Sequence, residues 1–392
     1  MPLDSDIIDL ILDLLLWEYD GSIDRPSLAA ASRISRLWRA AAQSRLFETI
    51  EIHSRRTLNS FIRSASTSSK RGRQLRAMVL QLSIVISGHG AVLGIAPSHS
   101  LLERDMIALL PTLPNLYILV VNSFAPSVSR TGQRALKKLQ IKSLVIRYIG
   151  EPPDRKHQIF FNFLASLPLL ERVLFIGKGT YLFPSSLPAD GPIPPSPQVM
   201  IREIRLDLRH SQPSLKGTDL AWLIGHSPTY LSILHLYDLV LDSSMTPFIM
   251  SVAPQLRSFH ISSSRHSDLK DLPQWAECMT SLQELVVRND IRSAADCFRV
   301  ASDLPLVLNI LPDTVQHLGL AVDSQNALDI VQLQVEKWAT RTGVMLNVLT
   351  LVFTSTEPLK QWTATTAVRK TRMFRHTDVD VLFSFVGSKP DG

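Results

Sequence analysis

One spacing recurs along most of the chain: an apolar residue, two of any kind, an apolar residue, one of any kind, and a third apolar residue. "LPNLYILVV" supplies it as Leu116, Leu119 and Val121, "LPLLERVLFI" as Leu170, Val173 and Phe175, and "YLSILHL" as Leu231, Leu234 and Leu236. It returns in "LRSFHI" (Leu256, Phe259, Ile261), "LQELVV" (Leu282, Leu285, Val287), "VQHLGL" (Val315, Leu318, Leu320) and "LNVLTL" (Leu346, Leu349, Leu351). Weaker copies begin at Leu75, Ile141 and Ile201. The closing alternation is that of a strand with one buried face. After Ile141 the leading residues stand about 25 to 33 positions apart, a period that marks a repeat array.

Helical patterns fill the intervals. "DRKHQIFFNFLASL" places Ile159, Phe160, Phe163, Leu164 and Leu167 on one face, and "NALDIVQLQVEKWA" does so with Leu328, Val331, Val335 and Trp338. A single strand–helix unit cannot bury its own apolar edge, so neighbours must stack. The expected fold class is α/β: a solenoid over residues 75–353, with parallel strands on a concave face and helices on a convex one. A charged share of only 19% suits such a stack of apolar units. A non-repetitive α/β domain is the competing reading. Residues 177–198 interrupt the array with six prolines, which exclude a central strand and predict an exposed loop. Residues 354–392 read as a C-terminal cap or tail.

The first fifty residues have a different texture. In "MPLDSDIIDLILDLLLW" the acids Asp6, Asp9 and Asp13 form one stripe and apolar residues cover the rest, which predicts a helix needing burial on more than one side. A second helix is expected to open at Asp24, with Pro26 in its first turn. Leu28, Ala31, Ile34, Leu37, Trp38, Ala41 and Ala42 make its apolar face, and "ETIEI" alternates like a short strand leading away.

Residues 1–50, with their Pro2-Leu3 opening, acid-flecked helix and "LAAASRISRLWRAAAQSRLFETIEI", resemble an F-box. The family usually begins Leu-Pro with Glu two places on, whereas this chain has Pro2-Leu3-Asp4. The repeats that follow resemble the leucine-rich repeats of F-box proteins, particularly the divergent kind abundant in mushroom-forming fungi. The Asn that closes a regular repeat is mostly missing, with only Asp290 and Asp323 near its place. The resemblance implies a substrate-recognition subunit of an SCF-type cullin-RING ubiquitin ligase. The F-box would bind a Skp-type adaptor, and through it cullin, while the repeats hold an unknown target protein. It implies that Leu3, Ile7, Ile8, Ile11, Leu28, Ile34, Trp38, Leu46 and Phe47 form the module's core and adaptor face. A plain helical cap on the repeats, in an interaction protein with no ligase coupling, is the alternative.

Residues 51–74 read as a basic linker or helix. No Asp or Glu lies between Glu51 and Glu103, while Arg55, Arg56, Arg63, Lys70, Arg71, Arg73 and Arg76 crowd the interval. Such a segment can contact phosphates, but Phe61 alone is interleaved as a stacking residue, which argues against nucleic acid. Cys278 and Cys297 have no partner spacing for a metal or a disulfide framework. With no apolar run long enough for a membrane span, the expected location is the cytoplasm, the nucleus or both.

Motifs that would carry chemistry are missing. Gly88, Gly90 and Gly94 follow a strand-like run, but Pro97 stands where a nucleotide site needs a helix. "GHSPT" at Gly225 lacks the second glycine of a hydrolase elbow. Eleven histidines, among them His226 and His235, lie scattered without acid or cysteine neighbours at ligand spacing. The expectation is therefore no catalytic residue, no metal and no cofactor, in a chain that works by holding partners together.

Overall fold

The computed structural model describes residues 5–15, 24–85, 103–122, 130–149, 163–178, 199–207, 214–215, 217–225, 228–241, 243–263, 271–289, 300–322, 325–342, 346–353 and 380–385. Leu3, the glycines 88, 90 and 94, Asp290, Asp323, residues 179–198 and most of 354–392 lie outside them. The chain divides into two compact units, Met1–Leu170 and Glu171–Gly392.

The first unit opens with helices α1 (Ser5–Leu15), α2 (Arg25–Ala31) and α3 (Arg36–Glu48). Asp24 caps α2 as expected: its carboxylate accepts the Ser27 N–H at 2.9 Å, and that bonding holds its pKa below the usual range. A continuous helix from Asp24 to Phe47 is not formed. Ser32, Arg33 and Ile34 make a turn, and Ser35 caps a new helix by accepting the Trp38 N–H at 3.4 Å. The cause is local. The Ser32 hydroxyl donates to the Ala29 carbonyl at 2.7 Å, and Ser35 adopts extended backbone, so both serines give the chain hydrogen bonds that compete with continuing the helix.

Helix α3 runs straight into β1 (Thr49–Ile52), the strand expected from "ETIEI". The basic segment forms α4 (Arg55–Ser64), opened by a Ser54–Thr57 capping box, and α5 (Lys70–Ala77). Then come β2 (Gln81–Val85), α6 (Glu103–Leu109), β3 (Ile118–Asn122), α7 (Arg130–Leu136) and β4 (Ser143–Ile149). The strands pair in parallel and in chain order, β1 to β4. The repeat copy expected at Leu75 is displaced: Leu75 lies in α5, and the buried triplet is Val79, Leu82 and Ile84.

The second unit continues the same scheme. Strands β5 (Arg172–Lys178), β6 (Glu203–Asp207), β8 (Ile233–Leu241), β9 (Ser258–Ser263), β10 (Glu284–Asn289), β11 (His317–Val322), β12 (Val348–Phe353) and β13 (Asp380–Phe385) pair in parallel in that order, with β7 (Ser214–Leu215) on the far end of β8. Helices α8 (Gly217–Ile224), α9 (Met245–Val252), α10 (Leu272–Cys278), α11 (Val300–Ile310) and α12 (Gln325–Thr342) alternate with the strands and pack against one another in sequence. The sheet in each unit is open, parallel and sequentially ordered. Among the described residues no helix is long and apolar enough to cross a membrane.

The recurrent triplet explains this order. Val173, Ile204, Leu234, Phe259, Leu285, Leu318, Leu349 and Val381 stand in one register row, and Phe175, Leu206, Leu236, Ile261, Val287, Leu320, Leu351 and Phe383 in the next. From Val173 to Leu349 and from Phe175 to Leu351 every side chain is buried, as are the leading residues Leu231, Leu256, Leu282, Val315 and Leu346. Each such burial contributes about 1.5–3 kcal/mol.

Backbone hydrogen bonds hand one coil to the next. One residue past each leading apolar position, a carbonyl accepts two successive N–H groups of the following coil. Arg202 O takes Ser232 and Ile233, Ser232 O takes Arg257 and Ser258, Arg257 O takes Gln283 and Glu284, and Gln283 O takes Gln316 and His317, all at 2.8–3.1 Å.

Candidate functional site

Two regions offer functional surface, one in each unit. In the first, α1, α2 and α3 pack around Ile8, Leu12, Leu28, Ala31 and Ala42, with Trp38, Ala41 and Leu46 partly buried against them. Of the residues the F-box resemblance singles out, Ile8 and Leu28 are interior. Ile11, Trp38, Leu46 and Phe47 are partly buried, and Ile7 and Ile34 are exposed. Leu10, 62% exposed, and Leu37 join Ile7 and the 64% exposed Ile34, so the module leaves four large apolar side chains in solvent. Leu10 stands on α1, whose apolar residues exceed what one buried face can take.

The basic segment is partly consumed by the fold. Arg55 pairs with Asp105 at 3.4 Å. Arg76 is buried, donates to Thr112 Oγ1 and to the Ala65 carbonyl, and stands 5.4 Å from the Phe61 ring centre. Desolvation lowers the pKa of that guanidinium. Arg56, Arg63, Lys70, Arg71 and Arg73 remain exposed.

In the second unit, the residues alternating with the apolar rows face the other side of the sheet. Parallel register stacks them into two rows, one through Ile233, Ser258, Glu284, His317 and Val348, the other through His235, His260, Val286, Gly319 and Thr350. Histidines scattered in sequence thus meet around one carboxylate. His260 Nε2 lies 3.2 Å and His317 Nδ1 2.7 Å from Glu284 Oε1, while the Ser258 hydroxyl donates to Oε2 at 2.5 Å. Behind them the Tyr237 hydroxyl is 2.6 Å from His260 Nδ1 and Thr350 Oγ1 is 2.8 Å from His317 Nε2. His235 Nε2 bonds Ser258 Oγ at 2.9 Å, and its ring stacks on that of His260.

The polarity of the network follows from the carboxylate. An ionised Glu only accepts, so the Ser258 hydroxyl donates to Oε2, while the His260 and His317 nitrogens face Oε1 at ion-pair distance. With its proton committed to Glu284, Ser258 accepts from His235. The His260 and then the His317 imidazole beside it, with the hydrogen bond from Ser258, hold Glu284 far below the ordinary carboxylate range against the opposing effect of burial. Ser258 is not set up as a nucleophile, because its proton goes to a carboxylate and not to an imidazole base. The cluster can hold charge and bind a cation.

Reading the histidines one at a time misses this arrangement. Aligning "SILHLYD", "RSFHISS", "QELVVRN", "QHLGLAV" and "NVLTLVF" on their apolar residues brings His235 beside His260 and Glu284 beside His317. The acid neighbour is one coil away in space and about thirty residues away in sequence. No family model matches the chain, and no curated protein matches it.

Proposed function

We propose that the chain is a substrate-recognition subunit of an SCF-type ubiquitin ligase. Its N-terminal helices would bind a Skp-type adaptor, and through it cullin, while the repeat strands form a concave wall that holds a target protein. The observation that carries this reading is the exposure of Ile7, Leu10, Ile34 and Leu37 on a helical module whose sequence resembles an F-box. Four large apolar side chains left in solvent on so small a module support a surface that a partner would complete. The chain itself would catalyse nothing. It raises the local concentration of target lysines beside an enzyme carried by other subunits.

The second reading, an interaction scaffold without ligase coupling, has its own support. Helix α3 passes directly into β1, and β1 pairs with β2. A helical module joined in this way to a strand edge can serve as a cap.

Binding of the purified chain to the Skp-type adaptor of its own cell separates the two. The ligase reading expects a complex that Ile34→Asp and Leu37→Asp each weaken at least tenfold while circular dichroism is unchanged. A folded wild-type chain that does not bind the adaptor sinks the ligase reading and leaves the scaffold.

A further inference from the structure

We propose that His260, Glu284 and His317 form a binding site for a divalent first-row metal ion of the zinc class. Nitrogens of His235 and His260 and a carboxylate oxygen of Glu284 lie within 4.8 Å of one another. His235 and His260 cannot both be ligands in this arrangement. Their rings are parallel to within 5°, with centroids 3.6 Å apart, and an imidazole binds an ion lying in its own plane, so no single point serves both. His317 takes the third place.

Its Nδ1 and the Nε2 of His260 address the same oxygen, Glu284 Oε1, at 2.7 and 3.2 Å. Ligands sharing a tetrahedral ion at about 2.0–2.1 Å stand about 3.3 Å apart. The His260–Glu284 pair already has that separation. The His317–Glu284 pair reaches it by opening about 0.6 Å, and the two imidazoles, on the strands either side of Glu284, must close on each other for one ion to touch both.

The outer partners are suited to an ion as well. Ligating imidazoles donate their remote N–H to an acceptor that fixes ring and tautomer. Here the remote nitrogens face hydroxyls, Tyr237 for His260 and Thr350 for His317. A hydroxyl donates to a bare ring nitrogen and accepts from a protonated one, so the same contacts serve with and without the ion. On binding, the His260 proton moves from Nε2 to Nδ1 and the His317 proton from Nδ1 to Nε2. Each ring exchanges one N–H for the other, so no proton is lost overall. Ser258 retains Glu284 Oε2, and His235 supports the face of His260. Imidazole with carboxylate favours zinc, copper and nickel over magnesium and calcium.

The test uses the full chain freed of metal by chelator dialysis. Zinc chloride is titrated against a chromophoric chelator, and cobalt chloride is followed by its visible absorption. One equivalent should bind, with cobalt giving the intense bands of a low-coordinate site. Glu284→Gln and His317→Ala should abolish binding, whereas Thr350→Val should weaken it about 10- to 100-fold. His235→Ala should retain the ion. Nitrogen-15 spectra of the wild-type imidazoles, which need no variant to fold, should show His260 and His317 exchanging tautomers as zinc is added. Absence of stoichiometric zinc binding, or zinc that leaves those two imidazoles unchanged, overturns the proposal. Loss of binding in folded His235→Ala with retention in His317→Ala overturns the choice of ligands.

Discussion

The imidazole of His235 lies flat on that of His260, planes within 5° and centroids 3.6 Å apart, because parallel register places the two residues side by side on β8 and β9. Their replacement separates stacking from hydrogen bonding. His235→Phe keeps a ring on His260 and gives up the bond to Ser258, an expected loss of about 0.5–1.5 kcal/mol. His235→Ala gives up both and should cost about 1 kcal/mol more. Urea denaturation of the two variants beside wild type measures the difference.

Glu284 makes stability depend on acid. Its folded pKa lies far below the unfolded value of 4.5, so its contribution is complete above that value and is lost as pH falls below it towards the folded pKa. Thermal midpoints of wild type should therefore decline as pH drops below 4.5, and Glu284→Gln should flatten that decline. At neutral pH the same variant should lose about 1.5–3 kcal/mol, the worth of a hydrogen bond to a charged group.

Gly319 is required by its neighbour. A Cβ built there would stand 2.8 Å from both Cγ atoms of Val286, on the adjacent strand. Gly319→Ala should destabilise by about 1–3 kcal/mol through overpacking. The double variant with Val286→Ala should recover part of that loss in the same denaturation assay, since the clashing atoms are removed.

The N-terminal module should divide its apolar residues by energetics. Leu28 is fully buried, so Leu28→Ala should cost about 2–5 kcal/mol. Ile34 is mostly in solvent, so Ile34→Ser should change stability by less than about 0.5 kcal/mol. Equal losses at both positions in chemical denaturation would contradict the surface placement of Ile34.

Much of the fold is legible in the sequence because one spacing does two jobs. Leu234, Phe259, Leu285, Leu318 and Leu349 fix which strand face is buried, and their separation fixes which strand lies beside which. Strong burial makes such positions easy to recognise. Where apolar content is ambiguous, sequence pattern and structure part: Leu75 has the right type but belongs to a helix, and the helix expected through Ile34 is broken by Ser32 and Ser35, whose hydroxyls bond locally. The polar cluster was hidden for another reason. His260 and Glu284 meet only after two coils are laid in register, and a carboxylate with no charged residue beside it in the chain gains three partners through space.

The paired hydrogen bonds at Arg202, Ser232, Arg257, Gln283 and Gln316 use backbone atoms only, at one place in each coil. The alignment of neighbouring strands is therefore indifferent to side-chain identity there and to the length of the connection that precedes it. Phe259 follows its partner Leu234 by 25 positions and Leu318 follows Leu285 by 33, yet both pairs share one register. A frame of this kind can diversify cheaply: exchanging residues in the two rows opposite the apolar core, or adding and deleting whole coils, changes the chemistry of that face while the scaffold is inherited unchanged.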